Sequence, residues 1–388
     1  MQIVDGRYSV GGVLYPRPFK IRRLGHFGLN LSHLDAGTDF YTRLLGFRLT
    51  DRLDLSTLPI PELRHALALA HTSIGALFGD PTDSPDITVN QITWQVGTLQ
   101  EVVDACRFFE ARGVRIRRMG RDMPGSNWHV YVSDPDGHTI ELYYGIEQVG
   151  WDGKSKPVSM YYRRFDQVPA LPQRSEEMEV EETIEKGIDV FAGHRWKDPG
   201  GAAYDVGGVL LARPFKITRI GPVGLFVNDL ARSEAFYVDT LGFGRTEEVG
   251  FRGRRCVFLR NGTEHHSLAL FPKELRQDLG LSAHTSLMTF GAELGSYAQL
   301  RSAVGFLKTQ GAKFVDVPAE LHPGIDYAAH VLDPDDHLVQ LYYYMEQVGW
   351  DGRPRPRAER RAVGGEWPET LEPLSDTYID QTFQGPLG

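Results

Sequence analysis

The chain has 388 residues, 41% of them hydrophobic and 24% charged, enough for two cores of ordinary domain size. A net charge of −9 leaves no basic stripe to neutralise phosphates, which excludes a general nucleic-acid surface and points to a small-molecule ligand. No apolar run approaches the ~20 residues of a membrane span, and the amino terminus lacks a charged-then-apolar signal segment. With two cysteines, Cys106 and Cys256, at no metal-type spacing, a cytoplasmic protein of a reducing compartment is expected.

Residues 11–21 (GGVLYPRPFKI) return as GGVLLARPFKI at 207–217, FYTRLLGF (40–47) returns as FYVDTLGF (236–243), and EQVGWDG (147–153) recurs letter for letter at 346–352. Two copies of one domain follow, at 8–157 and 204–356, joined by an acidic linker at 158–203 and followed by a Pro-, Gly- and charge-rich tail at 357–388. The linker piece Arg174–Lys186 reads as a connector able to form a surface helix. The tail reads as extended and wrapped on the surface, or partly disordered.

In chain order, copy one predicts a strand over 22–31 and a helix capped by Asp35, with Phe40, Tyr41, Leu44 and Leu45 as its apolar stripe and Gly46 at its end. Strands follow at 47–53, 65–70 and 73–78. A second round begins with a strand at 90–96, then a helix with Leu99, Val102, Cys106 and Phe109 on one face, closed by Gly113. Strands at 114–117, 127–133 and 138–144 complete it, the last two joined by the turn Asp134-Pro135-Asp136-Gly137. Copy two repeats the order, with Asp333-Pro334-Asp335-Asp336 as its turn. The fold class is α+β, with four βαβββ modules.

Strand alternation shows which polar residues meet. Phe27, Leu29 and Leu31 share one face, leaving His26, Gly28 and Asn30 on the other. Gln91, Thr93 and Gln95 oppose Ile92, Trp94 and Val96; Thr139, Glu141 and Tyr143 oppose Ile140, Leu142 and Tyr144. When the sheet curls, His26, Gln91 and Glu141 converge in one cup, where a divalent ion would satisfy all three. A carboxylate between Ile140 and Leu142 in a core strand is costly unless paired. Gln91 reads equally as a hydrogen-bonding partner of a neighbouring strand, and His26 alone as an ordinary core histidine. His138, just after the tight turn, reads as a solvated turn residue. Asn127 and His129 share a strand face and line the pocket, with Trp128 as a further aromatic wall.

The FYxxxLGF segments, the two DPD(G/D)H turns and the IELYY ending resemble the vicinal oxygen chelate superfamily, which includes glyoxalase-type lyases, bleomycin-resistance proteins and extradiol catechol dioxygenases. The two-domain length resembles the dioxygenase branch. The resemblance implies metal ligands on the first strand of each module and the last strand of the second: His26, Gln91 and Glu141. It also implies that His65, in RHALAL, is the acid–base histidine. Tyr131, ten residues before Glu141, becomes a tyrosine that hydrogen-bonds substrate. The dioxygenases usually place a second histidine where Gln91 stands and keep the metal in the second domain. Gln91 therefore leaves room for a different metal, or for His65 or His71 to complete the set.

In copy two, Pro222, Thr289 and Gln340 fall at the three ligand positions, so that copy is expected to be a metal-free partner. It keeps His265, His266, His284 and His330, which leaves a second, different site open. The expected protein is an Fe(II)-dependent extradiol-type dioxygenase acting on a catecholic or hydroxylated aromatic compound with O2. Mn(II), Zn(II) and Ni(II) are the other metals the ligand set suits. The rivals are a metal-dependent lyase or isomerase of the glyoxalase type, and a small-molecule binding or sequestering protein. No membrane or nucleic-acid partner is expected, and a homo-oligomer is compatible with the pattern.

Overall fold

The computed structural model describes residues 3–54, 65–70, 74–76, 88–122, 127–147, 156–157, 160, 163–165, 171–193, 195, 200–349 and 351–378; at 4, 51–54, 65–70, 74–76, 122 and 163–165 it describes the backbone alone. Among these residues no helix is long and apolar enough to cross a membrane.

The chain begins with a small antiparallel sheet, β1 (Ile3–Val4), β2 (Arg7–Val10) and β3 (Val13–Tyr15). The first repeat then runs β4 (Arg23–Leu29), α1 (Leu34–Asp39), β5 (Arg48–Asp54), β6 (His65–Ala70) and β7 (Ile74–Ala76). Its second module is β8 (Val89–Gln95), α2 (Leu99–Ala111), β9 (Ile116–Asp122), β10 (Asn127–Ser133) and β11 (Thr139–Tyr144). With the linker strand β12 (Arg163–Phe165) these form one sheet of order β12-β9-β10-β11-β8-β4-β7-β6-β5. The linker also carries α3 (Glu176–Glu185), which Ser175 caps by accepting from the Met178 N–H.

After the hairpin β13 (Tyr204–Val206) and β14 (Val209–Leu211), the second repeat runs β15 (Ile217–Val227), α4 (Leu230–Ala235), β16 (Gly244–Phe251), β17 (Arg254–Arg260) and β18 (Leu268–Pro272). A short α5 (Leu275–Asp278) leads to β19 (Leu287–Leu294), α6 (Tyr297–Thr309), β20 (Lys313–Val315), β21 (Ala328–Leu332) and β22 (Leu338–Tyr342). Its sheet has the order β16-β17-β18-β15-β19-β22-β21-β20. Each repeat is thus two βαβββ modules fused along an antiparallel central pair, β4 with β8 and β15 with β19. The α+β class and the four-module architecture are as the periodicity predicts.

Local chemistry explains the elements. Thr98 and Glu101 form a capping box at the start of α2: the Thr98 side chain accepts from Glu101 N–H, and Glu101 Oε1 accepts from Gly97 N–H at 3.1 Å. Gly46 and Gly113 both take positive φ where their helical segments end. Helix α1 differs from expectation. It starts at Leu34 after His33, which makes no side-chain cap, so Asp35 lies inside the first turn, and Phe40–Leu44 continues as a π-helical turn. The DPD(G/D)H turns are built alike. Asp134 accepts the Asp136 and His138 amides and the His138 ring; Asp333 accepts the Asp335 and His337 amides and the His337 ring. His138 is therefore buried, not solvated as expected, because Asp134 pairs with it.

Packing groups the chain into two units. One is drawn from Met1–Asn30, Phe47–Asp83 and Val89–Lys197, the other from Leu31–Gly46, Ser84–Thr88 and Asp198–Gly388. The repeat boundaries at 8–157 and 204–356 follow the duplication, whereas packing assigns α1 and its π-turn to the second unit. There the buried Tyr41 hydroxyl donates to Asp333 Oδ2 at 2.7 Å, and its ring lies 6.1 Å from Phe290.

The tail over 355–378 is ordered against the second repeat. Glu247 on β16 accepts from Arg357 Nε at 2.9 Å and Arg360 Nη2 at 2.7 Å, with His265 Nε2 at 3.1 Å. Burial alone would raise the Glu247 pKa, but hydrogen bonds with His265, Arg360 and Arg357 hold it well below the usual carboxylate value. A depressed folded-state pKa means that the unfolded chain binds the proton more readily. The stabilisation is therefore complete above the ordinary glutamate pKa and fades as pH falls below it. Glu247→Gln is expected to cost about 1 kcal/mol at pH 7. In urea unfolding, the gap between wild type and variant should narrow progressively as pH falls below the ordinary glutamate pKa.

Removing the Tyr41 hydroxyl, which leaves Asp333 its other donors, should cost about 1 kcal/mol. The check is a Tyr41→Phe melting midpoint a few degrees lower.

Candidate metal centre

Three strands of the first unit bring the expected residues together. β4 pairs antiparallel with β8, placing Gly28 opposite Gln91; β8 pairs parallel with β11, placing Thr93 beside Glu141; β11 pairs antiparallel with β10, placing Tyr131 opposite Glu141. His26 Nε2 lies 3.3 Å from Glu141 Oε2 and 3.0 Å from Gln91 Nε2. All three side chains are buried, Glu141 completely (0% exposed).

The hydrogen-bond requirements at this point conflict. Gln91 Nε2 can only donate, so it asks His26 Nε2 for a lone pair; Glu141 Oε2 can only accept, so it asks the same nitrogen for a proton. One atom cannot meet both, and Glu141 Oε2 has no hydrogen-bond partner among the described residues. Turning the amide would still leave two acceptors competing for one imidazole N–H, whereas a divalent cation satisfies all three groups. Neutral imidazole nitrogen and carboxylate oxygen are both lone-pair donors to a metal, and the Gln91 amide, whose two ends have the same shape, offers its oxygen when turned. The donor set therefore fits a first-row divalent ion. Two features qualify the set: His26 Nδ1 has no hydrogen-bond partner among the described residues, and no three His, Cys, Asp or Glu side chains there are grouped to hold a metal. The third donor is an amide.

The neighbours hold Glu141 ionised. Burial alone would raise its pKa; the His26 imidazole, then His129 and Tyr131, outweigh it and bring the value below the usual one. Asn127 Nδ2 donates to Glu141 Oε1, and His129 Nδ1 is 3.7 Å from that oxygen. His129 meets Tyr131 edge-on, with ring centroids 4.4 Å apart. Asn127, His129 and Tyr131 thus share the Glu141 side of β10. Trp128 does not: alternation turns it to the opposite face, where Arg121 stacks on it at 4.9 Å and is itself paired with Glu179 of the linker helix. Trp128 is therefore not brought to the site, contrary to expectation.

His65 begins β6, paired with Asp54, and its side chain lies outside the described residues, as does all of His71. Strand pairing aligns the two repeats. Ile74 and Leu268 occupy matching positions beside β4 and β15, and Leu69 pairs with Ile74 as Leu259 pairs with Leu268. His65 therefore matches Arg255 on β17.

Two positioning residues were visible in sequence only as members of polar faces. Thr93 Oγ1 accepts the His26 N–H at 2.7 Å and donates to the His26 carbonyl at 2.9 Å, locking the ligand's backbone. The buried Tyr143 ring lies 5.7 Å from His26, in space that exists because residue 25 is glycine: a Cβ there would sit 2.2 Å from the ring.

The matching positions of the second repeat carry other side chains. Thr289 faces Gly224 as Gln91 faces Gly28, and Gln340 pairs with His330 as Glu141 pairs with Tyr131. His330 Nε2 lies 3.0 Å from Gln340 Nε2, and burial keeps that imidazole uncharged, its pKa well below the ordinary value. Phe226, Phe258, Phe271, Leu275, Met288 and Leu321 pack into one apolar cluster in this repeat.

Asn127→Ala removes a donor to a buried carboxylate and should cost about 1–3 kcal/mol in metal-free protein, read from urea unfolding at pH 7.

Comparison with known proteins shows the family. The family model described as "Glyoxalase/Bleomycin resistance protein/Dioxygenase superfamily" matches residues 23–142 and 219–341. A catechol-2,3-dioxygenase of Bacillus subtilis (strain 168) is 23% identical over 301 residues, spanning 73% of this chain and 88% of the relative. A lactoylglutathione lyase of Escherichia coli O157:H7 is 29% identical over 133 residues, spanning 31% of this chain and 90% of the relative. The crystal structure of the 2,3-dioxygenase LapB from Pseudomonas sp. KL28 superposes with a TM-score of 0.55 at 15% identity, covering 93% of this chain and 98% of that one, a likeness of fold. With both repeats matched by one family model and both built from paired βαβββ modules, the chain belongs to the glyoxalase/bleomycin resistance protein/dioxygenase superfamily.

Proposed function

We propose that the protein is a metal-dependent extradiol-type ring-cleavage dioxygenase, using Fe(II) at His26, Gln91 and Glu141 to act on a catecholic or related hydroxylated aromatic compound with O2. The observation that carries the reading is the convergence of imidazole, amide and buried carboxylate on one point of the first repeat, with unmet hydrogen-bond demands that a cation resolves. The similarity to a catechol-2,3-dioxygenase over most of both chains supports it.

When bound, the metal supplies a Lewis-acidic centre for two vicinal substrate oxygens and for O2. The protein's own groups do the rest. Glu141 brings the negative charge, held ionised by His26, then His129 and Tyr131, while Asn127 donates to its Oε1. Thr93 fixes the His26 backbone, and Tyr143 covers the ring. Tyr131, on the Glu141 face, donates a hydrogen bond to a substrate oxygen, and His129 beside it lines the same wall. His65 takes a substrate hydroxyl proton and returns it later, acting as general base and then acid.

The rival is a metal-dependent lyase or isomerase of the glyoxalase type, favoured by the glutamine in the ligand set and by the similarity to a lactoylglutathione lyase over one repeat's length. Such chemistry needs only a Lewis acid and a proton shuttle.

Oxygen uptake by Fe(II)-loaded protein against a panel of catechols decides between them. The expected result is one O2 consumed per diol, with a fall of at least a hundredfold in Glu141→Ala. Absence of uptake across the panel would reject the dioxygenase reading. Metal analysis should give one ion per chain, unchanged in Gln340→Ala and lost in Glu141→Ala; two tightly bound ions would place a second metal in the other repeat. Gln91→His, which restores two imidazoles and a carboxylate, should tighten Fe(II) retention on dialysis.

A further inference from the structure

We propose that the second repeat holds a separate binding site for a small, uncharged, hydroxylated aromatic molecule, in the cavity between β16, the segment 319–326 and the tail residues 355–374. This site shares no residue with the metal centre and does not rest on the dioxygenase reading.

The cavity measures about 260 Å³. An apolar cavity of about 150 Å³ takes a benzene ring, so this one has room for a single substituted ring. Its apolar lining includes Val249, Ile325, Val363 and Leu374, and the Tyr344 ring offers a face for stacking. The hydroxyl of Tyr344 is already committed to the Ser375 carbonyl at 3.2 Å.

Charge decides the ligand's class. Arg355, Arg357, Arg360 and Arg361 line the cavity, but so do Glu320, Asp326 and Glu346. Glu247 engages Arg357 and Arg360, while Asp326 Oδ2 accepts from Arg361 at 3.0 Å. Four cations thus meet four anions. A carboxylate ligand would have to displace one of these partners and would also face the buried Glu346. A neutral ligand meets no such opposition.

Unmet hydrogen bonds decide its polar group. Glu346 is 1% exposed; its Oε1 accepts the Arg355 N–H, but its Oε2 has no hydrogen-bond partner among the described residues. Its charge partner is Arg360 Nε at 3.6 Å, beyond hydrogen-bond reach. Arg360 Nε and Arg355 Nε, both on residues lining the cavity, likewise lack hydrogen-bond partners among the described residues. One acceptor and two donors are thus left on its walls. A hydroxyl is the smallest uncharged group that both donates and accepts, and a ring carrying one fits the space, the apolar wall and the unmet polar atoms together.

The test is calorimetric titration of phenol, cyclohexanol and benzoate into the full-length chain, stripped of metal and free of oxygen so that no turnover occurs. Phenol should saturate a site that survives in Glu141→Ala. Val363→Trp, which fills the cavity from its exposed rim, should weaken it at least tenfold; Glu346→Gln, which keeps the Oε1 contact, should weaken it several-fold. Cyclohexanol and benzoate should bind at least tenfold more weakly than phenol. Circular dichroism confirms that each variant is folded. No saturable phenol binding, meaning that solvent alone fills the cavity, overturns the proposal. So does binding lost in Glu141→Ala but kept in Val363→Trp, or benzoate binding as tightly as phenol.

Discussion

A fully buried carboxylate in the middle of a sheet is the constraint from which the first repeat is organised. Left alone, an ionised Glu141 between Ile140 and Leu142 would cost several kcal/mol in desolvation. The sheet answers by surrounding it: Asn127 donates to one oxygen, His129 and Tyr131 stand on the neighbouring strand, and His26 faces the other oxygen across the fused modules. What these groups leave unsatisfied is specific. Gln91 and Glu141 make incompatible demands on a single imidazole nitrogen, and a positive ion is the simplest object that satisfies carboxylate, imidazole and amide at once.

Comparing the repeats separates what the fold needs from what chemistry needs. In the EQVGWDG segment, identical in both, the glutamate does the same structural work twice: the Glu147 carboxylate accepts the backbone N–H of Lys156, and the Glu346 carboxylate that of Arg355. The aspartates of the two DPD(G/D)H turns likewise tie down a buried histidine each. Divergence falls where the metal would bind. Proline, threonine and glutamine stand at positions 222, 289 and 340, a histidine takes the place of Tyr131, and an apolar cluster occupies the repeat.

Much of this was legible in the sequence because period-two alternation is a strong local signal. It gave the strands at 65–70 and 127–133 with the bounds they have, and it put His26, Gln91 and Glu141 on matching faces. It also had what was needed to turn Trp128 away, since neighbours on a strand point oppositely; treating aromatic character as a sign of pocket lining overrode that rule. Other features depend on partners distant in the chain. Asp35 looks like a cap, yet the helix starts one residue before it. His138 looks like a solvated turn residue until Asp134 is seen folded back on it. Strand pairing, set by partners remote in sequence, matches His65 to Arg255. Which strand lies beside which is information that no short window contains.

The first repeat's helix belongs, by packing, to the unit built from the second. Tyr41 reaches a turn whose aspartate also holds His337, so one buried carboxylate is shared by residues almost three hundred positions apart. Such an exchange makes the halves interdependent: a free-standing first repeat would leave an aromatic segment without its bed, and a free-standing second would lose the donor that its aspartate accepts. The second copy thereby has a structural task that does not depend on what stands at its own positions 222, 289 and 340.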